Sequence, residues 1–249
     1  MKVLSISTAT DHLSLALTQD DRLIAQKEEQ DERNHSEHLA PLIDQLLKEN
    51  QLTLKQVDRF AVAIGPGSYT GLRIGVTTVK MFASILHKDL VGISTLQALA
   101  QGVITSDALV LTELDARNHN FFAGAYIKKG SKMQALIPDG HYHLSELAKG
   151  IKIALKKTRL NQILIVGSPF SDYENDFEAE LKGVKIEQEA SLTKNKIQAR
   201  YIGFLAQDAP CTAPDDMVPH YLRRTQAEID WQAKTGQAFG PESDYVEEV

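Results

Sequence analysis

Between Gly65 and Gly75 the chain reads Gly-Pro-Gly-Ser-Tyr-Thr-Gly-Leu-Arg-Ile-Gly, after an apolar run and ahead of a helical pattern. Glycines permit positive φ and close backbone approach. A helix start offers free N–H groups and the positive end of a dipole, so an anion could sit there. Ser68 and Thr70 add hydroxyl donors, which makes Gly65, Gly67, Ser68, Thr70 and Gly71 candidate anion-binding residues. Two phosphate-binding templates fail to fit. A Walker loop needs a lysine after its last glycine, and none is present. The dinucleotide fingerprint Gly-x-Gly-x-x-Gly is matched only with one extra residue. The competing reading is mechanical: the glycines let a strand turn tightly into a closely packed helix.

Other reactive side chains are sparse. His35 and His38 are three residues apart, and His141 and His143 two apart. Each pair could give two metal ligands, but tight sites want three or four, so surface or capping roles are expected. Asp115 and Arg117 close a strand-like run; a carboxylate there could face a cleft or simply hold a turn, and both readings stay open. The single cysteine, Cys211, lies in Ala-Pro-Cys-Thr-Ala-Pro with no base beside it in sequence, and reads as a loop thiol. One cysteine also excludes an intrachain disulfide, which suits a reducing, cytoplasmic setting.

The elements that must position these residues begin with three strand-like runs: Val3–Thr8, the alternation of Leu13, Leu15 and Leu17, and Leu23–Gln26. Asn34 and Glu37 form a capping-box pattern ahead of Leu39, Leu42, Ile43, Leu46 and Leu47 at helical spacing. Phe60–Ile64 reads as a buried strand, Leu72–Leu86 as a second helix and Val91–Ile93 as a brief strand. Ser94 with Gln97 starts a short helix that ends near Gly102. The order then repeats. Leu109–Leu114, Phe121–Ile127 and Met133–Ile137 are strands, Leu144–Lys149 is helical, Ile163–Val166 is a strand, and a helix lies around Ile197–Gln207. An α/β fold of two βββαβα lobes, actin-like and of the ribonuclease H-like ASKHA type, fits this order better than a simple doubly wound sheet. The expected division is residues 1–103, residues 104–224, and an acidic tail from 225 to 249.

Charge narrows the function classes. The 249-residue chain carries a net charge of -6. Thr225–Val249 holds six acids and one base, leaving a near-neutral body. A chain gripping a nucleic acid alone would show a basic excess. Small basic groups remain, such as Lys152, Lys156, Lys157 and Arg159, with solvated surface as the plain reading. The tail, with Trp231, Phe239 and Tyr245 among its charges, reads as weakly ordered or packed back on the body. No run of about 18 apolar residues suggests a membrane span.

Several segments together resemble the TsaB (YeaZ) family. They are the Gly65–Gly75 run, Leu4–Thr8, His35–Leu39, Ile93–Leu96, Leu114–Arg117 and Pro219–Arg223, in order over roughly residues 1–224. The resemblance implies the actin-like fold and a part in making N6-threonylcarbamoyladenosine on tRNAs that read codons beginning with adenine. It implies a non-catalytic subunit that binds and stabilises the catalytic relative TsaD, helps recruit the ATPase TsaE, meets tRNA indirectly, with a direct contact left open, and forms a homodimer when the partner is absent. ATP or ADP and metal are expected on the partner subunits, with no cofactor required by this chain. Partner contacts are implied on the first two helices, Asn34–Lys48 and Gly71–Leu86, with Leu39, Leu42, Leu46, Tyr69, Leu72, Arg73, Val76 and Lys80 as candidates. The metal-binding histidine pair of the catalytic relative falls on Thr95 and Leu99, which cannot ligate, so the older M22 glycoprotease-like label loses its metal. Ser7 stands where the family commonly has an acid. The alternatives are a stand-alone actin-like ATPase or kinase, or an inactive metallopeptidase-like protein.

Overall fold

The computed structural model describes residues 1–30, 34–103, 105, 107–130, 132–168, 170–191, 193–223, 231, 234 and 235. Most of the expected tail, including Phe239 and Tyr245, lies outside the described residues.

The first half runs β1 (Lys2–Ser7), β2 (His12–Gln19), β3 (Arg22–Gln30), α1 (His35–Glu49), β4 (Arg59–Gly65), α2 (Tyr69–Leu86), β5 (Asp89–Ser94) and α3 (Thr95–Gln101). The second runs β6 (Leu109–Asp115), β7 (Asn120–Lys129), β8 (Lys132–His143), α4 (Leu144–Thr158), β9 (Gln162–Ser168), α5 (Phe170–Glu180), β10 (Lys185–Gln188) and α6 (Ala199–Leu205). The strand orders are β3-β2-β1-β4-β5 and β8-β7-β6-β9-β10, the same sequence of neighbours in both halves. Each sheet is an antiparallel meander extended by two parallel strands. Hairpin-spaced strands pair antiparallel, while the helical crossovers force the parallel additions.

Alternation sorts the side chains of each sheet. Leu4 and Ile6 of β1 join Leu39, Leu42, Leu46, Val76 and Val79 in a core between the first sheet and α1 and α2. Leu109 and Leu111 of β6 join Leu147, Ile151, Leu155 and Phe177 under α4 and α5. A third core lies between the sheets, where Val3, Val91, Leu96, Leu99, Val110, Tyr126, Val166 and Ile202 meet. The closing helices are exchanged there. α3 packs on β6, β7 and β8, while α6 packs on β1, β2 and β4. Small residues receive α6: Ser5 Oγ donates to the Ala199 carbonyl at 2.7 Å, and the Ala199 N–H donates to Ser14 Oγ at 2.9 Å. α3 is fixed at its cap. Ser94 Oγ accepts from the Gln97 N–H at 3.1 Å and donates to Asp139, which also accepts from the buried Tyr126 hydroxyl.

Several boundaries differ from expectation. Asn34 is the N-cap of α1, but its side chain makes no capping bond, and the box predicted with Glu37 does not form. α2 begins at Tyr69 rather than Leu72, so Tyr69, Thr70 and Gly71 form its first turn, with Ser68 Oγ accepting from the Gly71 N–H. β8 runs on to His143, α4 continues to Thr158, and α5 and β10 are elements beyond those predicted.

Candidate functional site

The glycine loop is packed backbone to backbone against the end of β1. A Cβ on Gly71 would lie 2.0 Å from the Thr8 carbonyl oxygen, and one on Gly67 would lie 2.3 Å from that of Ala9. The Ser68 N–H donates to the Ala9 carbonyl at 2.7 Å, and Thr8 Oγ1 donates to the Gly71 carbonyl at 2.6 Å. Gly65 takes φ +130°, and its missing Cβ leaves room for the His220 carbonyl at 2.5 Å. Close approach is therefore the main use of these glycines. Gly71→Ala is expected to cost about 3 kcal/mol, because the opposing atoms are main chain and cannot rotate away. A drop in the urea midpoint measures it, and an unchanged midpoint would contradict this packing.

Of the five candidate anion-binding residues, Ser68, Thr70 and Gly71 line a hollow of about 340 Å³ with Thr10, Asp11, His35, Ser36 and Ile74. Gly65 and Gly67 face main chain instead. Two amides of the turn are already used, and the Asp11 carboxylate shares the hollow. Ser7 of β1 is fully buried and its Oγ has no hydrogen-bond partner.

The helices offer a second surface. Leu39, Leu42, Leu46, Leu72 and Val76, expected as partner contacts, face the chain's own core, Leu42 being the most accessible of them at 7%. These five are core residues first, with Leu39 alone among them also reaching the groove between α1 and α2. Tyr69 and Arg73 do lie outside, and Lys80 is half-buried. They begin a ridge along α2 at every fourth position: Tyr69, Arg73, Thr77, Met81 and Ile85. Tyr69 is 43% exposed, Met81 49% and Ile85 68%. Sequence patterning missed Met81 and Ile85. Beside the ridge, Ser36, Leu39, Ala40, Arg73, Ile74, Thr77 and Thr78 line a groove of about 410 Å³ between α1 and α2.

A C-terminal strap stiffens this face. The Thr212 N–H donates to the Leu90 carbonyl at 2.8 Å, and the His220 N–H to that of Ile64 at 2.7 Å. Tyr221 stacks on Tyr69 with centroids 4.8 Å apart, and its hydroxyl accepts from Arg73 Nε at 3.0 Å. The Arg73 guanidinium also lies over the Tyr69 ring, 4.1 Å from its centroid. Lys80 Nζ donates to the Asp215 carbonyl at 3.4 Å. Arg223 reaches the other half, donating to the Ala116 carbonyl at 3.2 Å.

The remaining polar candidates have structural employment. Asp115 Oδ1 accepts from the Arg117 N–H at 2.8 Å and holds the turn in which Arg117, Asn118 and His119 all take positive φ. His35 Nε2 donates to the Thr10 carbonyl at 2.7 Å, and His38 Nδ1 lies 2.8 Å from Glu29. His143 caps α4 through the Ser145 N–H, and His141 packs on Phe122 with its pKa lowered by burial and by Arg223. Arg59 Nη2 lies 3.3 Å from Cys211, and burial pushes that thiol's pKa up. Thr95 and Leu99 are buried, and neither side chain fits a metal. Among the described residues, no three of His, Cys, Asp or Glu come together as ligands, and no helix is long and apolar enough to cross a membrane.

Comparison with known proteins places this geometry. The family model of TsaD, tRNA N6-adenosine threonylcarbamoyltransferase, matches residues 23–231. The chain is 29% identical over 233 residues to the tRNA threonylcarbamoyladenosine biosynthesis protein TsaB of Bacillus subtilis, covering 93% of this chain and 98% of that one. It is 28% identical over 165 residues to TsaB of Escherichia coli, covering 66% and 68%. The crystal structure of YeaZ from Pseudomonas aeruginosa superposes with a TM-score of 0.73 at 24% identity, covering 89% of this chain and 99% of that one. The fold is the actin-like, two-lobed α/β fold expected from the repeated element order.

Proposed function

Because this chain belongs to the tRNA N6-adenosine threonylcarbamoyltransferase family, in its TsaB (YeaZ) branch, and so has its role in tRNA threonylcarbamoyladenosine biosynthesis, we propose that it acts there as a docking subunit. It binds the catalytic TsaD-type protein through the α1–α2 face and holds it in the form that TsaE engages. The observation that carries this reading is the α2 ridge. Tyr69, Met81 and Ile85 are large, apolar and exposed, along a helix about 27 Å long and beside an open groove. Exposed apolar patches of this kind mark interaction sites, and fourth-residue ridges interdigitate with those of another helix.

The chemistry of the chain supports a non-catalytic role. Thr95 and Leu99 offer no metal pair, Ser7 offers no carboxylate, and the glycine loop serves as a joint for α2. In this reading the chain needs no cofactor of its own, and nucleotide and metal act on the partner subunits. The same apolar face would pair two copies of the chain when the partner is missing. The test is reconstitution of tRNA threonylcarbamoylation from purified TsaD and TsaE, with tRNA and an activated threonylcarbamoyl donor supplied, with and without this chain. Product formation is expected only when the chain is present. Equal product in its absence, or ATP turnover by the isolated chain, would overturn the reading.

A further inference from the structure

α4 is unlike the other helices in its charge. Its inward face, Leu144, Leu147, Ala148, Ile151, Ala154 and Leu155, is committed to the second sheet. Its outward face carries Lys149, Lys152, Lys156 and Lys157, with Arg159 as the C-cap, and all five are exposed. Lys149, Lys152 and Lys156 follow i, i+3, i+7 and form one row about 10 Å long. None of the five cations lies in an ion pair among the described residues, in a chain whose net charge is -6. Ile153 stands in the same face at 70% exposure.

We propose that this row is a contact for the phosphate backbone of tRNA; the inference rests on the reading of the chain as a subunit of the tRNA-modifying assembly. Unpaired lysines spaced along one line suit a polymer of regularly spaced phosphates, which they bind as point charges without reading sequence. The neighbouring helix α5 exposes Asp172, Glu174 and Glu178, which repel the same polyanion and confine it to α4. A lipid surface fits less well, because a membrane-lying helix needs a free apolar face and α4 has spent its own on the sheet. The contact lies on the half of the chain opposite the α2 ridge, so one subunit can hold the transferase with one lobe and the RNA with the other.

The test compares wild type with Lys149→Glu/Lys152→Glu/Lys156→Glu, and with the matching glutamine triple, in complex with the cognate transferase. Binding of an unmodified tRNA transcript is followed against salt. The glutamate triple is expected to weaken tRNA at least tenfold and to lower the slope of log K against log salt by about two to three. The glutamine triple should show the same slope change with a smaller loss. Affinity within twofold of wild type and an unchanged slope, with complex formation intact, would overturn the contact. So would lysine-dependent binding to anionic vesicles without any effect on tRNA. The isolated chain at low salt should show the same contrast with weaker affinity. Failure of the chains to co-elute therefore counts against the docking reading, while the isolated-chain titration still decides the contact.

Discussion

A chain carrying Met81→Asp and Ile85→Asp is expected to lose co-elution with its transferase while staying folded, melting only a few degrees below wild type. Both side chains are largely solvent-facing in the isolated chain, so exchanging them removes little of its own packing. In a docked complex each would bury its remaining exposed apolar surface, contributing about 1–2 kcal/mol. A carboxylate in the same place must shed its water without a partner. Together the two changes should weaken binding at least a hundredfold, which is about 3 kcal/mol. Ile153→Asp is the matched control, equally exposed but on the other lobe, and should leave co-elution intact. Wild-type affinity in the double variant would place the transferase elsewhere. Tyr69 and Arg73 are weaker choices for this test, because Tyr221 holds both and their loss would also loosen the strap.

Stability of the isolated chain should fall as pH rises from about 5 to 8, and Glu113 should be the cause. Glu113 is fully buried in β6, and neither carboxylate oxygen has a hydrogen-bond partner. Burial, with Asp115 adding to it, pushes its pKa up to about 8 from an ordinary 4.5. Between those values the folded chain keeps a proton that the unfolded chain has released. Folding then weakens by about 1.4 kcal/mol per pH unit, roughly 4 kcal/mol across the window, and levels off above it. The sign is that of a raised carboxyl: the favourable, protonated state is fully present below the unfolded value and is lost through the folded one. Glu113→Gln stays neutral throughout, so urea titrations of wild type and variant should match near pH 5. The variant should be the more stable by pH 8. A constant difference over that range would mean that Glu113 is ionised in the fold.

The first half was legible because its signals are local and agree. Alternating leucines in β2, the five-residue apolar run of β4 and the helical leucines of α1 each report one periodicity. α5 was not legible, because Phe177 is the one fully buried large side chain among its described residues and acids surround it. β10 has four residues and pairs with one neighbour, too little for an alternation to register. The existence of α1 and α2 was legible, whereas what lies on their outward faces was not. Leu39, Leu42, Leu46, Leu72 and Val76 stand out in the sequence because they face the chain's own core. Met81 and Ile85 look like more of the same pattern until the turn of α2 is known. Apolar periodicity reports where a helix leans on its own chain and is silent about which apolar residues are left over. The glycine loop had the reverse problem. Its spacing suggested a ligand, whereas Thr8 and Ala9 fill the space that the glycines leave.

The exchange of α3 and α6 makes the two halves a clasp. Each half ends in a helix that packs on the sheet of the other, α3 keeping contacts with β4 and β5 as well, so the core between the sheets is built from both halves. A fragment ending at residue 103 would leave Val3, Ala61 and Val91 of the first sheet without α6, and Leu96 and Leu99 without β6, β7 and β8. Parting the two halves would therefore expose this shared core to water.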